Sequence, residues 1–375
     1  MSADVAVIGG GVAGLAAAYE LLRLGASVTI LERGACASEA SWAGGGILSP
    51  LLPWDYSEAV TQLTQLSNKL FPGFIEALCQ ETGIDPEYQA SGMLVLHDFS
   101  EKLQDEKPDE MLQDARSHAA EAWCARHAFP MKRVRSHEIA PVLAREETAL
   151  WLPEVCQVRN PRLLQALRKA VELAGGVIIE HAEVTNWKVE QGCVQSVTSR
   201  GDETPAAHYI VTAGAWSRQL LGKHALKLDI WPVRGQMLLF KAQPGLLGTI
   251  VLQEPDNFYL VPRRDGHILA GSTLEGAGFD NRTTAQARKV LLAKAHALLP
   301  ELTEEILAGH WAGLRPGSPD NIPVIDRHPT ISNLYVNSGH YRYGVTMAPG
   351  SAQLVSGMIL NKPQPLDVTP YQWPV

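Results

Sequence analysis

The stretch Asp4-Val-Ala-Val-Ile-Gly-Gly-Gly-Val-Ala-Gly14 opens the chain and decides its fold. Its first five residues form a short apolar run, which is typical of a buried parallel strand. Gly9, Gly11 and Gly14 then have the spacing G-x-G-x-x-G. Helical periodicity follows up to Gly25, a residue that can cap a helix. The order of strand, tight turn and helix predicts a Rossmann-type βαβ unit.

Each glycine has a physical task in such a unit. Gly9 makes the tight turn, Gly11 lets the backbone approach a pyrophosphate, and Gly14 lets the helix pack closely on the strand. The helix N-terminus favours the negative charge of that pyrophosphate. Glu32 ends the second strand, 18 residues after Gly14, where it can accept from both hydroxyls of an adenosine ribose. We therefore expect a dinucleotide site; a glycine-rich turn without a ligand is the alternative.

FAD and NAD share this fingerprint, and a second glycine-rich stretch bears on the choice between them. Ala40-Ser-Trp-Ala-Gly-Gly-Gly-Ile47 follows soon after Glu32, where an NAD domain normally continues into another βαβ unit. A loop of small residues at this point lets the backbone approach the flavin end of an extended FAD. On the residues alone, this loop favours FAD and leaves NAD open.

The composition argues against several classes of protein. The 375 residues exceed what one compact core usually holds, which favours two packed domains. A net charge of −8 argues against a nucleic acid partner. No apolar run reaches the roughly 18 residues that a transmembrane helix needs. A strand pattern begins within four residues of Met1 and leaves no room for a signal peptide, so we expect a cytoplasmic protein.

The residues that could bind a metal are scattered. The five cysteines form no C-x-x-C pair, and the 12 histidines show no ligand spacing with a nearby acid. We expect no metal, no disulfide framework, and free cysteine thiols. The basic run Lys132–Arg135 is expected to be a solvated face, and Trp216 and Trp311 are expected to be packing residues.

The remaining pattern predicts an α/β protein with two domains. From Trp231 to Ser272, β-rich segments alternate with turn residues, which suits a mixed or antiparallel sheet. We expect a Rossmann-like FAD-binding domain and an α+β substrate-binding domain whose sheet faces the cofactor. The first is assigned residues 1–85, 145–217 and 308–375, and the second residues 86–144 and 218–307.

Taken together, these segments resemble the D-amino-acid-oxidase family of flavoproteins, and within it the bacterial glycine oxidases linked to thiamine biosynthesis. The resemblance extends over nearly the whole length. Its landmarks are the fingerprint with Glu32-Arg33 and the segments 41–48, 176–181, 211–216, 259–263, 311–317 and 339–344. It implies oxidative deamination of glycine or another small D- or N-methyl amino acid to the oxo acid, ammonia and hydrogen peroxide, with FAD as cofactor and dioxygen as acceptor.

The resemblance also implies which residues bind FAD. Besides the fingerprint glycines, they are Val12, Ala13, Glu32, Arg33 and Val184 at the nucleotide half, Ala40, Ser41, Gly45, Gly46 and Ile47 at the flavin half, and His340, Tyr341, Arg342, Tyr343, Gly344, Val345 and Thr346 under the isoalloxazine. A helix N-terminus at the flavin would stabilise the negative charge that develops on reduction. Related sarcosine-type oxidases attach FAD through a cysteine. Gly313 occupies that position here, so we expect non-covalent FAD.

The expected substrate chemistry depends on placement. The substrate carboxylate must be held while its Cα–H faces flavin N5, and hydride leaves from the neutral amine. Arg315 is expected to hold the carboxylate, because a guanidinium is a planar fork that matches it; an ordinary ion-pairing arginine is the alternative. Tyr259 is expected to donate to the same carboxylate. Arg342 would contact either the substrate or only the cofactor.

Three positions depart from the family pattern. Ile47 and Leu274 stand where glycine oxidases can carry methionine, and both could reshape the pocket that sets substrate size. Asn257 replaces a histidine expected two residues before Tyr259. The rival functions are a D-amino-acid or D-proline dehydrogenase that reduces a quinone, a non-catalytic FAD-binding subunit, and, as a more distant rival, an NAD-dependent dehydrogenase. A homo-oligomer is compatible with the sequence.

Overall fold

The structure, a computed structural model, describes residues 3–97 and 110–375. Among these residues, short apolar runs form a six-stranded sheet. In spatial order its strands are Val324–Arg327, Leu334–Ser338, Ala206–Val211, Ala3–Ile8, Val28–Leu31 and Val177–Ile179. Neighbouring strands are parallel except for the first pair. Val5 and Val7 of the central strand are almost fully buried, as expected where helices or other elements cover both faces of a parallel sheet.

Helices cover this sheet and bury the predicted N-terminal helix. Val12–Arg23 packs against Asn160–Leu173 and Gly344–Ile359, and the latter packs on Glu58–Thr82. The other α-helices of the described residues are Ala40–Ala43, Glu110–Arg126, Ser136–Ile139, Ser217–Leu221 and Ala285–Leu298. Within the described ranges, the helices are too short or too polar to cross a membrane.

The second large sheet has eight described strands and is mixed, as predicted. In order they are Leu307–Gly317, Trp231–Lys241, His267–Gly271, Phe258–Pro262, Ile250–Glu254, Met93–His97, Thr148–Leu152 and Lys132–Arg135. Only the pair Ile250–Glu254 and Met93–His97 is parallel. One smaller sheet contains Val184–Glu190, Cys193–Ser199 and Asp202–Thr204, and another pairs Gln89–Ala90 with Cys156–Gln157.

The pairing of two strands bears on the predicted domain division. Thr148–Leu152 and residues 308–317 of the strand Leu307–Gly317 are assigned to the FAD-binding domain by the sequence, but both strands hydrogen-bond within the eight-stranded sheet. We therefore propose that the substrate-binding domain includes these two strands. The rest of the division stays a prediction, and residues 98–109 of the predicted range 86–144 lie outside the described residues.

Candidate active site

The two large sheets line a common cavity of ≈ 710 Å³. One side of the cavity is formed by the N-terminal βαβ unit and the other by strands that carry Tyr259 and Arg315. A volume of this size is typical of cofactor and small-molecule sites. The cavity is therefore the candidate active site.

The fingerprint glycines fill the roles that their spacing predicts. Gly9 has a φ of +118°, and a Cβ there would lie 2.6 Å from Thr212 O, so the tight turn requires glycine. A Cβ on Gly14 would overlap Gly9 O and lie 2.7 Å from Thr212 Oγ1. Gly14 therefore permits close packing of helix on strand and does not line the cavity. Gly11 does line it.

Glu32 and Ser41 organise the nucleotide end of the cavity. Buried Glu32 accepts from Gly10 N–H at 2.7 Å and from Gly34 N–H at 2.9 Å. Each carboxylate oxygen has two lone pairs, so both can still accept from a ligand hydroxyl. Ser41 Oγ accepts from Val12 N–H at 3.0 Å, at the first turn of the N-terminal helix. Val12 and Ala13 at the start of this helix line the cavity, which suits that end to an anion.

The glycine-rich loop is fixed by a buried arginine. The segment Ala40–Ala43 forms a short helix, and the loop itself is confined to Gly44–Ile47. Arg263 donates from Nη2 to Gly45 O at 2.7 Å and from Nη1 to Val158 O at 2.9 Å. Arg263 is only 8% exposed, and burial lowers its pKa to about 10. The backbone of the loop is therefore rigidly placed beside the cavity.

The C-terminal helix begins at the opposite wall. Gly344, Val345 and Thr346 form its first turn and line the cavity, where their N–H groups favour negative charge. Thr346 Oγ1 donates to Ile47 O at 3.0 Å, which ties this helix to the glycine-rich loop. Two helix N-termini, at Val12 and at Gly344, thus face one cavity.

The segment before this helix brings several ionisable side chains to the wall. His340 is 3% exposed, and burial lowers its pKa to about 4, so its imidazole is neutral. Burial acts to lower the pKa of Arg342, but the nearby hydroxyls of Tyr343 and Tyr56 outweigh this and raise it. The hydroxyl of Tyr343 donates to that of Tyr56. Arg342 therefore carries a positive charge at the wall.

Arg315 places a second guanidinium at the same end of the cavity. It donates to Thr273 O at 3.2 Å and to Ser272 Oγ at 2.7 Å, both neutral acceptors. Within the described part of the chain, no carboxylate forms an ion pair with it. Burial lowers its pKa, while Tyr259 opposes that shift. Arginine remains charged in proteins, so this end is suited to an anionic ligand.

Almost all predicted site residues line this one cavity. Gly14 is the exception among them, for the packing reason given above. Their contact with a ligand stays a prediction. They are Gly9, Gly11, Val12, Ala13, Glu32, Arg33, Ala40, Ser41, Gly45, Gly46, Ile47, Val184, Tyr259, Arg315, His340, Tyr341, Arg342, Tyr343, Gly344, Val345 and Thr346.

Two of the three positions that depart from the family pattern do not line the cavity. Leu274 is 48% exposed and lies off the cavity wall, which argues against its predicted effect on the pocket. Asn257 also lies off the wall, in the turn before Phe258, with a φ of +51° that asparagine tolerates. Ile47 does line the cavity and keeps its predicted influence on pocket shape.

Some wall residues were missed from the sequence. Trp216, expected only to pack, lines the cavity, and the Arg33 guanidinium lies 3.6 Å from its ring centroid. Asn160 lines it with an unpartnered buried Oδ1, although its position before a proline signalled only a helix start. Phe279, on a loop remote in sequence, gave no signal. Trp311 does pack, against Trp42 at 5.4 Å between ring centroids.

These residues fit FAD. The fingerprint and the first turn at Val12 suit a pyrophosphate, Glu32 suits a ribose, and the loop Gly44–Ile47 leaves space beside a second helix N-terminus. The buried Nε2 of His340 and Oδ1 of Asn337 also lack partners among the described residues and lie at the cavity. The fold and the site together define a dinucleotide-dependent oxidoreductase of the flavin class.

Comparison with known proteins gives the same class. The profile of the family DAO, FAD dependent oxidoreductase, matches residues 4–358. The chain is 41% identical to the glycine oxidase of Pseudomonas aeruginosa, over 99% of this chain and 98% of that protein. It is 31% identical to the bifunctional protein ThiO/ThiG of Trichormus variabilis, over 96% of this chain and 53% of that protein. The crystal structure of glycine oxidase from Geobacillus kaustophilus superposes with a TM-score of 0.91 at 28% identity, covering 100% of this chain and 98% of that one.

The protein belongs to the FAD-dependent oxidoreductase family. FAD is therefore its cofactor, and the predicted fold class and family are confirmed.

Proposed function

We propose that this protein oxidises the amine of a small amino acid, with glycine as main substrate and dioxygen as electron acceptor. Glycine, dioxygen and water would give glyoxylate, ammonia and hydrogen peroxide. The observation that carries the proposal is Arg315, a guanidinium on the cavity wall whose partners are neutral oxygen atoms. The 41% identity to a glycine oxidase over nearly the whole chain supports glycine as the substrate.

Arg315 would hold the substrate carboxylate. Two of its N–H groups can bond both carboxylate oxygens at once, which a point charge cannot do. The Tyr259 hydroxyl donates to the thioether of Met237 at 3.3 Å, a weak acceptor, and would donate instead to the carboxylate. A carboxylate withdrawn from water needs such partners, because its lost hydration would otherwise disfavour binding.

FAD would lie along the cavity. Its pyrophosphate would lie at the helix Val12–Arg23, its adenosine ribose near Glu32, and its ring between the loop Gly44–Ile47 and Gly344. Bound there, FAD supplies the acceptor for the hydride that leaves the substrate Cα. The N–H groups at Gly344 stabilise negative charge at that end, and the small loop residues allow close approach of substrate.

The proton of the substrate ammonium gives a test by pH. Among the described residues near Arg315, the ionisable wall groups are tyrosines and arginines, and His340 has a pKa of about 4. None of these is suited to accept the proton near neutral pH. We predict that kcat/KM for glycine rises with pH toward the amine's own pKa. Steady-state kinetics from about pH 6 to about pH 10 check this, and a flat profile contradicts it.

An anaerobic titration tests the function itself. The purified holoenzyme is mixed with glycine, sarcosine and D-alanine, and flavin absorbance is followed; oxygen uptake is then measured in air. Bleaching by glycine together with oxygen uptake is expected. Bleaching without uptake would indicate a dehydrogenase, and no bleaching with any amine would indicate a non-catalytic subunit.

The similarity to ThiO/ThiG supports a role in thiamine biosynthesis.

A further inference from the structure

The loop after the strand His267–Gly271 lies directly behind Arg315. Two acceptors of the Arg315 guanidinium belong to this loop: Thr273 O and Ser272 Oγ. Phe279, further along the same loop, lines the cavity. We call residues 272–282 the clamp loop. The direction in which the Arg315 fork points depends on where the clamp loop is held.

Two carboxylates of the clamp loop pair with Arg234 of the neighbouring strand Trp231–Lys241, Asp280 at 3.5 Å and Glu275 with the larger set of hydrogen bonds. Glu275 Oε2 accepts from Arg234 Nε at 3.0 Å and also from Arg234 Nη2. Glu275 Oε1 accepts from Gln236 Nε2 at 2.8 Å and from the hydroxyl of Thr273. The backbones of Arg234 and Glu275 exchange two hydrogen bonds of 3.0 Å. Glu275 thus connects the strand to Thr273, the residue whose carbonyl accepts from Arg315.

The partners of Glu275 are themselves buried and fixed. Arg234 is 8% exposed and Gln236 is fully buried. Gln236 N–H donates to Thr273 Oγ1 at 2.9 Å, and Arg234 Nη1 donates to Arg282 O at 3.2 Å at the far end of the clamp loop. Burial acts to raise the pKa of Glu275, but the bonds from Thr273, Arg234 and Gln236 outweigh it and lower that pKa. The carboxylate is therefore charged at neutral pH.

The face of the Arg315 guanidinium that points away from the clamp loop lies close against Gly235. A Cβ on Gly235, which is paired with Gly313 two positions before Arg315 in the adjacent strand, would overlap the guanidinium. The guanidinium thus lies flat on Gly235, between the strand Trp231–Lys241 and the clamp loop. A shift of the clamp loop would change the angle of the Arg315 guanidinium, because Gly235 contacts only one face of that group.

We propose that Glu275 is a positioning residue for the reaction: it fixes the clamp loop so that the Arg315 fork faces the substrate carboxylate. This inference rests on the proposed function of Arg315. Glu275 does not line the cavity. It acts through Thr273, and its loss should affect ligands that carry a carboxylate more than ligands that do not.

The test compares Glu275→Ala and Glu275→Gln holoenzymes with the unmodified protein. KM and kcat are measured with glycine and with ethylamine, which lacks the carboxylate, and the Kd for acetate is measured from the flavin absorbance change. Small misplacements of a positioning group cost up to about 100-fold. Glu275→Ala should therefore raise KM for glycine and Kd for acetate by about 10-fold to 100-fold, with a smaller change in kcat and none for ethylamine.

The conservative variant and a matched control sharpen this test. Glu275→Gln should recover part of the loss, since its amide oxygen still accepts from Thr273 while Arg234 keeps only Asp280 as a charged partner among the described residues. Glu121→Ala is the control: Glu121 also pairs with an arginine of the eight-stranded sheet, Arg133, at 2.8 Å, but far from the clamp loop. It should leave all three constants unchanged.

The Arg315→Ala background separates the two proposals. If Glu275 acts through Arg315, adding Glu275→Ala to Arg315→Ala should change glycine kinetics no further. If Arg315→Ala alone has no effect, the carboxylate clamp is wrong and the positioning proposal is overturned with it. If Arg315→Ala has its effect but Glu275→Ala impairs glycine and ethylamine equally, or impairs neither, only the positioning proposal is overturned.

A milder variant covers the case in which Glu275→Ala does not retain FAD. Thr273→Val keeps the side-chain volume and removes the hydroxyl that joins Glu275 to Gln236 N–H. It should show the same selective rise in KM for glycine and Kd for acetate. Normal values for both would overturn the proposal.

Discussion

At the scale of single residues, Arg315 is the side chain that suits the site to a ligand with a carboxylate. Truncating one partner of a buried, hydrogen-bonded charge pair costs roughly 2–5 kcal/mol. We predict that Arg315→Ala lowers kcat/KM for glycine by about thirty-fold to several thousand-fold, with FAD content unchanged. Arg315→Lys should recover only part of the loss, because an ammonium cannot form the planar fork.

The control for Arg315 is an amine substrate without a carboxylate. Its slow oxidation should be nearly the same in the variant and the unmodified protein. Near-normal kinetics of Arg315→Ala on glycine and D-alanine would make Arg315 an ordinary structural arginine.

His340 predicts how stability depends on pH. Burial lowers its pKa from the ordinary 6.5 to about 4. Between these values the unfolded chain binds a proton that the folded chain excludes, so stability is lost as pH falls from 6.5 toward 4. The loss between pH 7 and pH 5 is about 2 kcal/mol. His340→Gln should remove that part of the acid sensitivity, measured as the change in Tm between the two pH values at saturating FAD; an unchanged acid sensitivity would contradict the shift.

At the scale of elements, Arg263 determines where the glycine-rich loop lies. Arg263→Met would leave Gly45 O, Val158 O and Gln157 Oε1 without their donor. Unpaired buried acceptors cost about 1–3 kcal/mol each, so we predict a lower Tm and a Kd for FAD raised by about 10-fold or more. Fluorescence titration of the apoprotein with FAD measures this.

The adjacent arginine is a matched control for Arg263. Arg264 donates to Asp85 and to Tyr88 O on the exposed surface, where such pairs contribute about 0–1 kcal/mol. Arg264→Met should therefore bind FAD normally. Equal effects of the two substitutions would show that Arg263 has no particular role in placing the loop.

Arg263 also shows why the sequence predicted some elements and not others. The strand Ala3–Ile8 and helix Val12–Arg23 follow from local periodicity and from glycine geometry, so their prediction is confirmed to within one residue. Arg263 was noted only as the end of a family segment. Its role depends on Gly45, 218 residues away along the chain, and no local pattern encodes that contact.

At the scale of the whole molecule, some residues of the site could be predicted from the sequence and others could not. The fingerprint glycines were predicted because close backbone approach requires glycine, whereas residues 340–346 were predicted only from the family resemblance. Trp216 and Phe279 were missed because they lie on a short turn and a loop remote in sequence and meet only in the folded chain, with ring centroids 5.6 Å apart. The role of the clamp loop could not be predicted either. Glu275 holds the loop through its contact with Arg234, and that contact forms only in the folded chain.

The shared cavity also predicts that FAD stabilises the whole fold without a covalent bond. Both large sheets line it, so a ligand there binds the folded chain and not the unfolded one. Free FAD at about 100 times its Kd should then add about 2.7 kcal/mol to the free energy of unfolding.

All five cysteines, each within the described residues, lie off the cavity wall, and a Cβ on Gly313 would meet Ala43 and not the cavity. We therefore predict that Tm rises with added FAD and that acid precipitation leaves yellow, free FAD in the supernatant. Flavin retained in the pellet would mean a covalent link, and a Tm independent of FAD would mean that the cofactor does not bridge the two sheets.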